Sequence, residues 1–288
     1  MRSENRIVEL AAWGFDESQD RDQVVEADDL ARVRGRAANL IELQPEWDSI
    51  SPVLDDATEH LKDQLSTHAT RNDIQMEFKG LEWRLAVIDL RRLLCFQRRL
   101  ALPAEDMKPE SHQEYDWQRR LELAFPPPRV SEYTQRLNPT ELTLQTDNPD
   151  LSVWLKPTSK DTESFEVAVC HGSPFMEVAY YLGRWFLRDG YHRAYRLLRA
   201  CVFAVPAVIV HAKSLGELGA VEPCFFPEDI LMGRRPPAVT DFMSDDLVLC
   251  WRRPGRRKVI RIAITEHFET MDSEEEKGAE REHCNQAR

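Results

Sequence analysis

Apolar residues change their spacing part-way along this chain, and the change predicts two kinds of structure. In the first hundred residues they recur every three or four positions, the repeat of one helix face. Asp28-Asp29 precedes Leu30, Val33, Ala37, Leu40 and Ile41, and Pro45 closes that segment. Ser51-Pro52 opens a second predicted helix through Val53, Leu54, Ala57, Leu61 and Leu65, with proline near the first turn, where a missing N–H costs least. The longest predicted helix runs from Glu77 to Leu102, with Leu81, Leu85, Ile88, Leu90, Leu94 and Leu100 available for burial. Along it Arg84, Arg91 and Arg98 recur every seven residues, joined by Arg92 and Arg99. That stripe reads either as a solvated face or as one that binds acids or phosphates.

Pro103 to Pro128 is polar and ends in Phe125-Pro126-Pro127-Pro128, a stiff spacer that no helix continues through. Beyond it the apolar runs become short and alternating, the pattern of strands. They are Leu142-Thr143-Leu144, Leu151 to Leu155, Phe165 to Val169, Met176 to Tyr181 and Trp185 to Leu187, separated by Asn-Pro, Lys-Pro and Ser-Lys-Asp turns and by Gly183. Leu247 to Trp251 and Val259 to Ile264 predict a terminal hairpin around Pro254-Gly255. Arg252, Arg253, Arg256, Arg257 and Lys258 crowd its tip, a candidate grip on nucleic-acid phosphates or an ordinary charged turn. The expected organisation is α+β: an acidic helical region over 1–128, a mixed α/β domain over 129–268 and a disordered acidic tail over 269–288.

Composition narrows the class. With seven Trp and twelve Phe in 288 residues there is ample material for a core. The most apolar run, Ala200 to Val210, is interrupted by Pro206 and is too short to span a bilayer. Six cysteines lie scattered without a CxxC pair, and no signal-length apolar stretch opens the sequence, so the expectation is reduced thiols in the cytoplasm, with no membrane partner. The net charge of −12 is unevenly distributed. Residues 1–80 carry 18 acids and 9 bases and residues 266–288 carry 8 and 3, which leaves 24 and 26 for the middle. Such a chain is no obligate nucleic-acid coat, yet its middle has room for a local phosphate site.

The stretch richest in chemistry is Arg184 to Val210. Trp185-Phe186-Leu187 predicts a buried strand, Asp189-Gly190 a sharp turn, and Tyr191 to Ala200 a helix with Ala194, Leu197 and Leu198 inward. Val205-Pro206-Ala207-Val208-Ile209-Val210 reads as a strand buried on both faces. A strand, a glycine turn and a helix start bring backbone N–H groups together, which makes an anion site. His192 and Arg193 add side-chain donors there, Gly190 allows close approach, and Tyr191 flanks them as a ligand-binding or packing residue. Asp189 is expected to cap the helix, orient His192 or Arg193, or hold a phosphate-bound Mg²⁺. Metal motifs of the HExxH or CxxC kind, the P-loop and GxGxxG are absent. In Cys170-His171-Gly172-Ser173, strand neighbours point to opposite faces, which argues against a nucleophile pair.

On the string Asp189-Gly190-Tyr191-His192-Arg193, followed by Ala194 and the Val205-Pro206 strand, residues 140–215 resemble the ParB/sulfiredoxin-like superfamily. The resemblance implies a compact α+β fold that binds a nucleoside triphosphate, ATP or CTP, at this turn, as an NTPase or a nucleotide-gated switch in a bacterial protein. It also implies catalytic carboxylates at Asp189 and Glu177, the latter by analogy with kinase-like members that phosphorylate small molecules. Tyr191 stands where sulfiredoxins carry their reactive cysteine, which excludes their thiol chemistry. The partition proteins' arginine-rich box and a helix-turn-helix are not found. A non-catalytic scaffold, or a regulator that meets DNA or an acidic protein partner, remains the competing expectation.

Overall fold

The computed structural model describes residues 4–14, 31–35, 38, 47–103, 115–127, 133–147, 151–159, 162–220 and 225–267. In chain order the elements are β1 (Glu4–Glu9), α1 (Asp55–His60), α2 (Lys62–Ala69), α3 (Asn72–Glu77), β2 (Trp83–Asp89), β3 (Leu94–Cys95), β4 (Arg99–Pro103) and α4 (Trp117–Ala124). Then come β5 (Thr134–Asn138), β6 (Glu141–Thr146), β7 (Leu151–Ser159), β8 (Thr162–His171), β9 (Glu177–Tyr181), β10 (Arg184–Asp189) and α5 (Tyr191–Arg199). The last are β11 (Ala204–His211), α6 (Leu215–Leu218), α7 (Glu228–Leu231), β12 (Leu249–Pro254) and β13 (Lys258–Ala263). The fold is α+β, and no described helix is long and apolar enough to cross a membrane.

Two compact units form, and neither is continuous in sequence: Met1–Ser131 with His171–Arg256, and Glu132–Cys170 with Arg257–Arg288. Unit 1 is built on a mixed sheet in the order β2-β11-β9-β10-β3. At its centre β11 runs antiparallel to β2 and parallel to β9. Val205, Ala207, Val208, Ile209 and Val210 are all 0% exposed, as a strand covered on both faces requires. Each valine or isoleucine among them contributes about 1.5–3 kcal/mol of burial. Pro206 sits in this strand without breaking it. Val208 N–H bonds Met176 O, so Pro206, two residues earlier, turns its nitrogen the same way, before β9 has begun. Helices α1 and α2 pack on β2, and α4 packs on β11. Phe78 fills the interior between Trp83 and Phe175, with ring centroids 5.8 and 6.0 Å away. A second antiparallel sheet of unit 1 has the order β12-β1-β4.

Unit 2 holds an antiparallel sheet in the order β13-β6-β5 and the two-stranded ribbon β7-β8. All three predicted strands between 142 and 169 form, within β6, β7 and β8.

Several expectations are corrected. The helix expected over Glu77 to Leu102 ends as α3 at Glu77, and β2, β3 and β4 follow. Ala86-Val87-Ile88 is an apolar run buried whichever way it winds, and spacing alone does not separate a core strand from a helix. Its arginines therefore form no stripe. Arg84 lies on β2, Arg91 and Arg92 in a 3-10 turn, and Arg98 just before β4. The second helix starts at Asp55, because Val53 is held in a bridge to Ile88. Of the first predicted helix only 31–35 and 38 are described, all helical. The expected terminal hairpin does not exist. β12 pairs with β1 in unit 1 and β13 with β6 in unit 2, so Pro254-Gly255 joins two sheets. Residues before Ser131 share a unit with the segment His171–Arg256. The acidic tail, 269–288, lies outside the described residues.

Candidate functional site

The strand–turn–helix–strand unit forms as β10, Gly190, α5 and β11. Gly190 caps α5 in the left-handed region, φ +91°, where a side chain costs about 1–2 kcal/mol. Its open side is filled from within the protein. A Cβ there would lie 2.7 Å from Met176 Sδ and 3.2 Å from an Arg193 nitrogen, so the close approach that needs glycine is that of Met176. At the far end α5 closes with Cys201 at φ +56°, Cys201 N–H on Leu198 O and Val202 N–H on Leu197 O. That is a Schellman ending with cysteine in the place glycine favours.

Tyr191 is a core residue, 5% exposed. Its hydroxyl donates to Leu187 O at 2.6 Å and accepts Phe96 N–H at 3.2 Å, and its ring stands edge-on to Phe96. Burial pushes the phenol well above its ordinary range, so it stays protonated. His192 Nε2 lies 3.1 Å from Ala101 O, and because a carbonyl only accepts, that nitrogen carries the proton in this bond. The contact fastens α5 to β4.

Arg193 is engaged at both ends of its fork. Nη1 donates to Leu123 O at 2.8 Å and to Pro174 O, and Nη2 donates to Phe175 O at 2.6 Å. Leu123 lies in the last turn of α4, whose carbonyls have no partner within the helix. Other arginines do the same work. Arg184 donates to Leu231, Met232 and Gly233 oxygens at the end of α7, at 2.8–3.0 Å. Arg71 takes Phe125 O and Pro126 O, both at 2.7 Å. Arg98, singled out for the lost stripe, bonds Phe225 O and Gly14 O and lies over the Phe226 ring.

The two candidate catalytic residues are paired in register, Asp189 opposite Glu177 in β10 and β9, just past a shift in register after Leu187. Asp189 Oδ1 accepts Gly190 N–H, a contact to the next residue only. The helix-capping role expected of Asp189 is not seen: Gly190 is the N-cap of α5, and no side chain caps that helix start. Glu177 is 1% exposed, ion-paired through Oε2 with Arg188, while Arg188 Nε also bonds Glu217 O. Its Oε1 has no hydrogen-bond partner among the described residues. Burial pushes its carboxyl up, against Arg188 and the Ser173 hydroxyl, with Glu77 adding to the rise. Among the described residues no group of three His, Cys, Asp or Glu gathers in metal-binding geometry.

The structure thus brings Asp189, Gly190, Tyr191, His192, Arg193 and Glu177 together around one helix start. The hairpin whose tip was expected to carry the five cations of 252–258 does not form. Arg252 and Arg253 lie in β12, Arg256 in the linker, and Arg257 and Lys258 in unit 2, where Arg257 pairs with Asp147 at 3.0 Å. Met176, Arg184 and Arg188 were not foreseen. Carbonyl clamping leaves no local pattern, because each acceptor lies on a distant segment. Comparison with known protein families, with curated proteins and with solved structures finds no match for this chain.

Proposed function

We propose that this chain is a non-catalytic binding protein, built on a ParB/sulfiredoxin-like core whose anion cradle has been turned to structural work. The observation that carries the reading is the Arg193 guanidinium on three backbone carbonyls. Hydrogen bonds to a charged group are worth about 1.5–3 kcal/mol each. Swinging the fork toward a triphosphate would break three of them and uncap α4. Met176 over Gly190 and the His192 bond to Ala101 work in the same direction. Binding to a partner is the role left for a scaffold of this kind, whether the partner is a protein or DNA.

The test is calorimetric titration of the full chain with ATP and CTP in the presence of Mg²⁺. No saturable heat is expected. Saturable heat that disappears in a His192→Ala variant would reject the proposal in favour of a nucleotide-gated switch.

A second reading, an NTPase or small-molecule kinase, is favoured by the opposition of Asp189 and Glu177 at the start of α5. It requires Glu177 to reach solvent from a position only 1% exposed. Phosphate release or transfer that falls in Glu177→Gln while the fold is kept would establish it.

A further inference from the structure

We propose that the outer edge of β5 is a docking site for an extended acidic peptide segment of a partner protein, paired to β5 as an added strand. The inference rests on the non-catalytic reading above and names its partner class. β5 pairs only with β6 among the described residues, and all five of its residues are exposed. Asn138-Pro139-Thr140-Glu141 is a two-residue turn, with Asn138 Oδ1 accepting Thr140 N–H at 3.0 Å. In a two-residue hairpin the residues flanking the loop form a hydrogen-bonded pair. The main-chain groups of Asn138, Arg136 and Thr134 therefore face β6, and those of Gln135 and Leu137 face outward. These outward groups are the template for another strand.

Side chains decide which strand fits. Gln135 and Leu137 share the face of Leu142, Leu144, Ile260 and Ile262, and Leu137 is 74% exposed at its margin. Arg136 is on the other face, in one row with Thr143 and Arg261. Arg261 pairs with Glu141 at 3.3 Å, while Arg136 has no ion pair among the described residues. An incoming strand thus meets an apolar margin on one face and an unneutralised guanidinium on the other. Alternating apolar and acidic residues answer both.

A second copy of the chain is the poorer occupant. The antiparallel register that uses both outward residues sets Gln135 against Leu137 of the copy. It centres on Arg136 and puts the two guanidiniums opposite each other, which destabilises the pair.

The experiment is selection of a displayed random octapeptide library on the immobilised full chain, on Arg136→Glu and on Leu137→Pro. Wild type is expected to enrich alternating apolar–acidic peptides, and Arg136→Glu to enrich basic ones instead. Leu137→Pro removes an outward N–H on an edge strand, where proline is tolerated, and is expected to weaken the selected acidic peptides by about tenfold or more. Arg136→Glu changes an exposed side chain only, so a reversal of preference does not depend on how the proline variant folds. The same peptides on all three proteins, or no enrichment, would overturn the site. So would a wild-type dimer in light scattering that Leu137→Pro abolishes. A failed selection leaves the nucleotide titration unaffected, and saturable nucleotide heat would sink the non-catalytic reading without touching the selection.

Discussion

Units 1 and 2 are both rich in strands, yet they treat their side chains in opposite ways. In unit 1 the central sheet is covered and β11 is wholly buried. Its exposed large apolar residues, Ile50, Met76, Leu182 and Met243, are scattered along the chain. In the much smaller unit 2, Tyr133, Leu137, Trp154, Val167, Val259 and Ile264 are all exposed. The guanidiniums differ likewise: Arg193 holds three carbonyls, and Arg136 has no ion pair among the described residues. Three short strands and a ribbon have too little material to cover both faces of a sheet. Stability therefore concentrates in unit 1, and capacity for new contacts in unit 2.

The strongest way to break this contrast is to cut both units in the same manner. Ile209→Ala is expected to cost about 2–5 kcal/mol in urea unfolding, and Val259→Ala, 51% exposed, within about 0.5 kcal/mol. Comparable losses would erase the distinction. The second comparison sets Arg193→Met against Arg136→Met. The former leaves three carbonyls unpaired and is expected to cost on the order of 3 kcal/mol, with lysine restoring little because it has no planar fork. The latter should leave the melting curve in place. Third, Gly190→Ala is expected to cost about 1–2 kcal/mol from the backbone alone, and more from the collision with Met176. A double-mutant cycle with Met176→Ala should recover only that second part.

Glu177 supplies a pH test within unit 1. Its folded pKa is raised above the ordinary 4.5 by burial. Its contribution is thus fully present below the ordinary glutamate range and is lost as pH rises through the raised value. Glu177→Gln should remove that decline, so parallel stability–pH curves for the two proteins above 4.5 would contradict the assigned direction. The smallest effect belongs to Cys201→Gly. Placing glycine at φ +56° should raise stability by up to about 1 kcal/mol in the same unfolding measurement.

Much of the motif region could be read from sequence because its signals are local. Asp189-Gly190 announces a turn, Ala194, Leu197 and Leu198 a buried helix face, and Val205 to Val210 a core strand, and all of them form. The stretch from Glu77 to Leu102 was misread because buried runs look alike in a helix and in a central strand. The presumed hairpin failed for another reason. Pro254-Gly255 is a sound turn signal, but pairing is chosen by partners far away, β1 for one strand and β6 for the other.

Sequence alone determined which segments are apolar enough to be buried, where the chain must turn, and that His192 and Arg193 stand at a helix start. Those are properties of neighbours along the chain. Only the tertiary structure decided what these two side chains touch, that Met176 closes the space over Gly190, and that β5 is left at an edge. A hydrogen bond takes its direction from two groups at once, and here the second group lies 18 to 91 residues away.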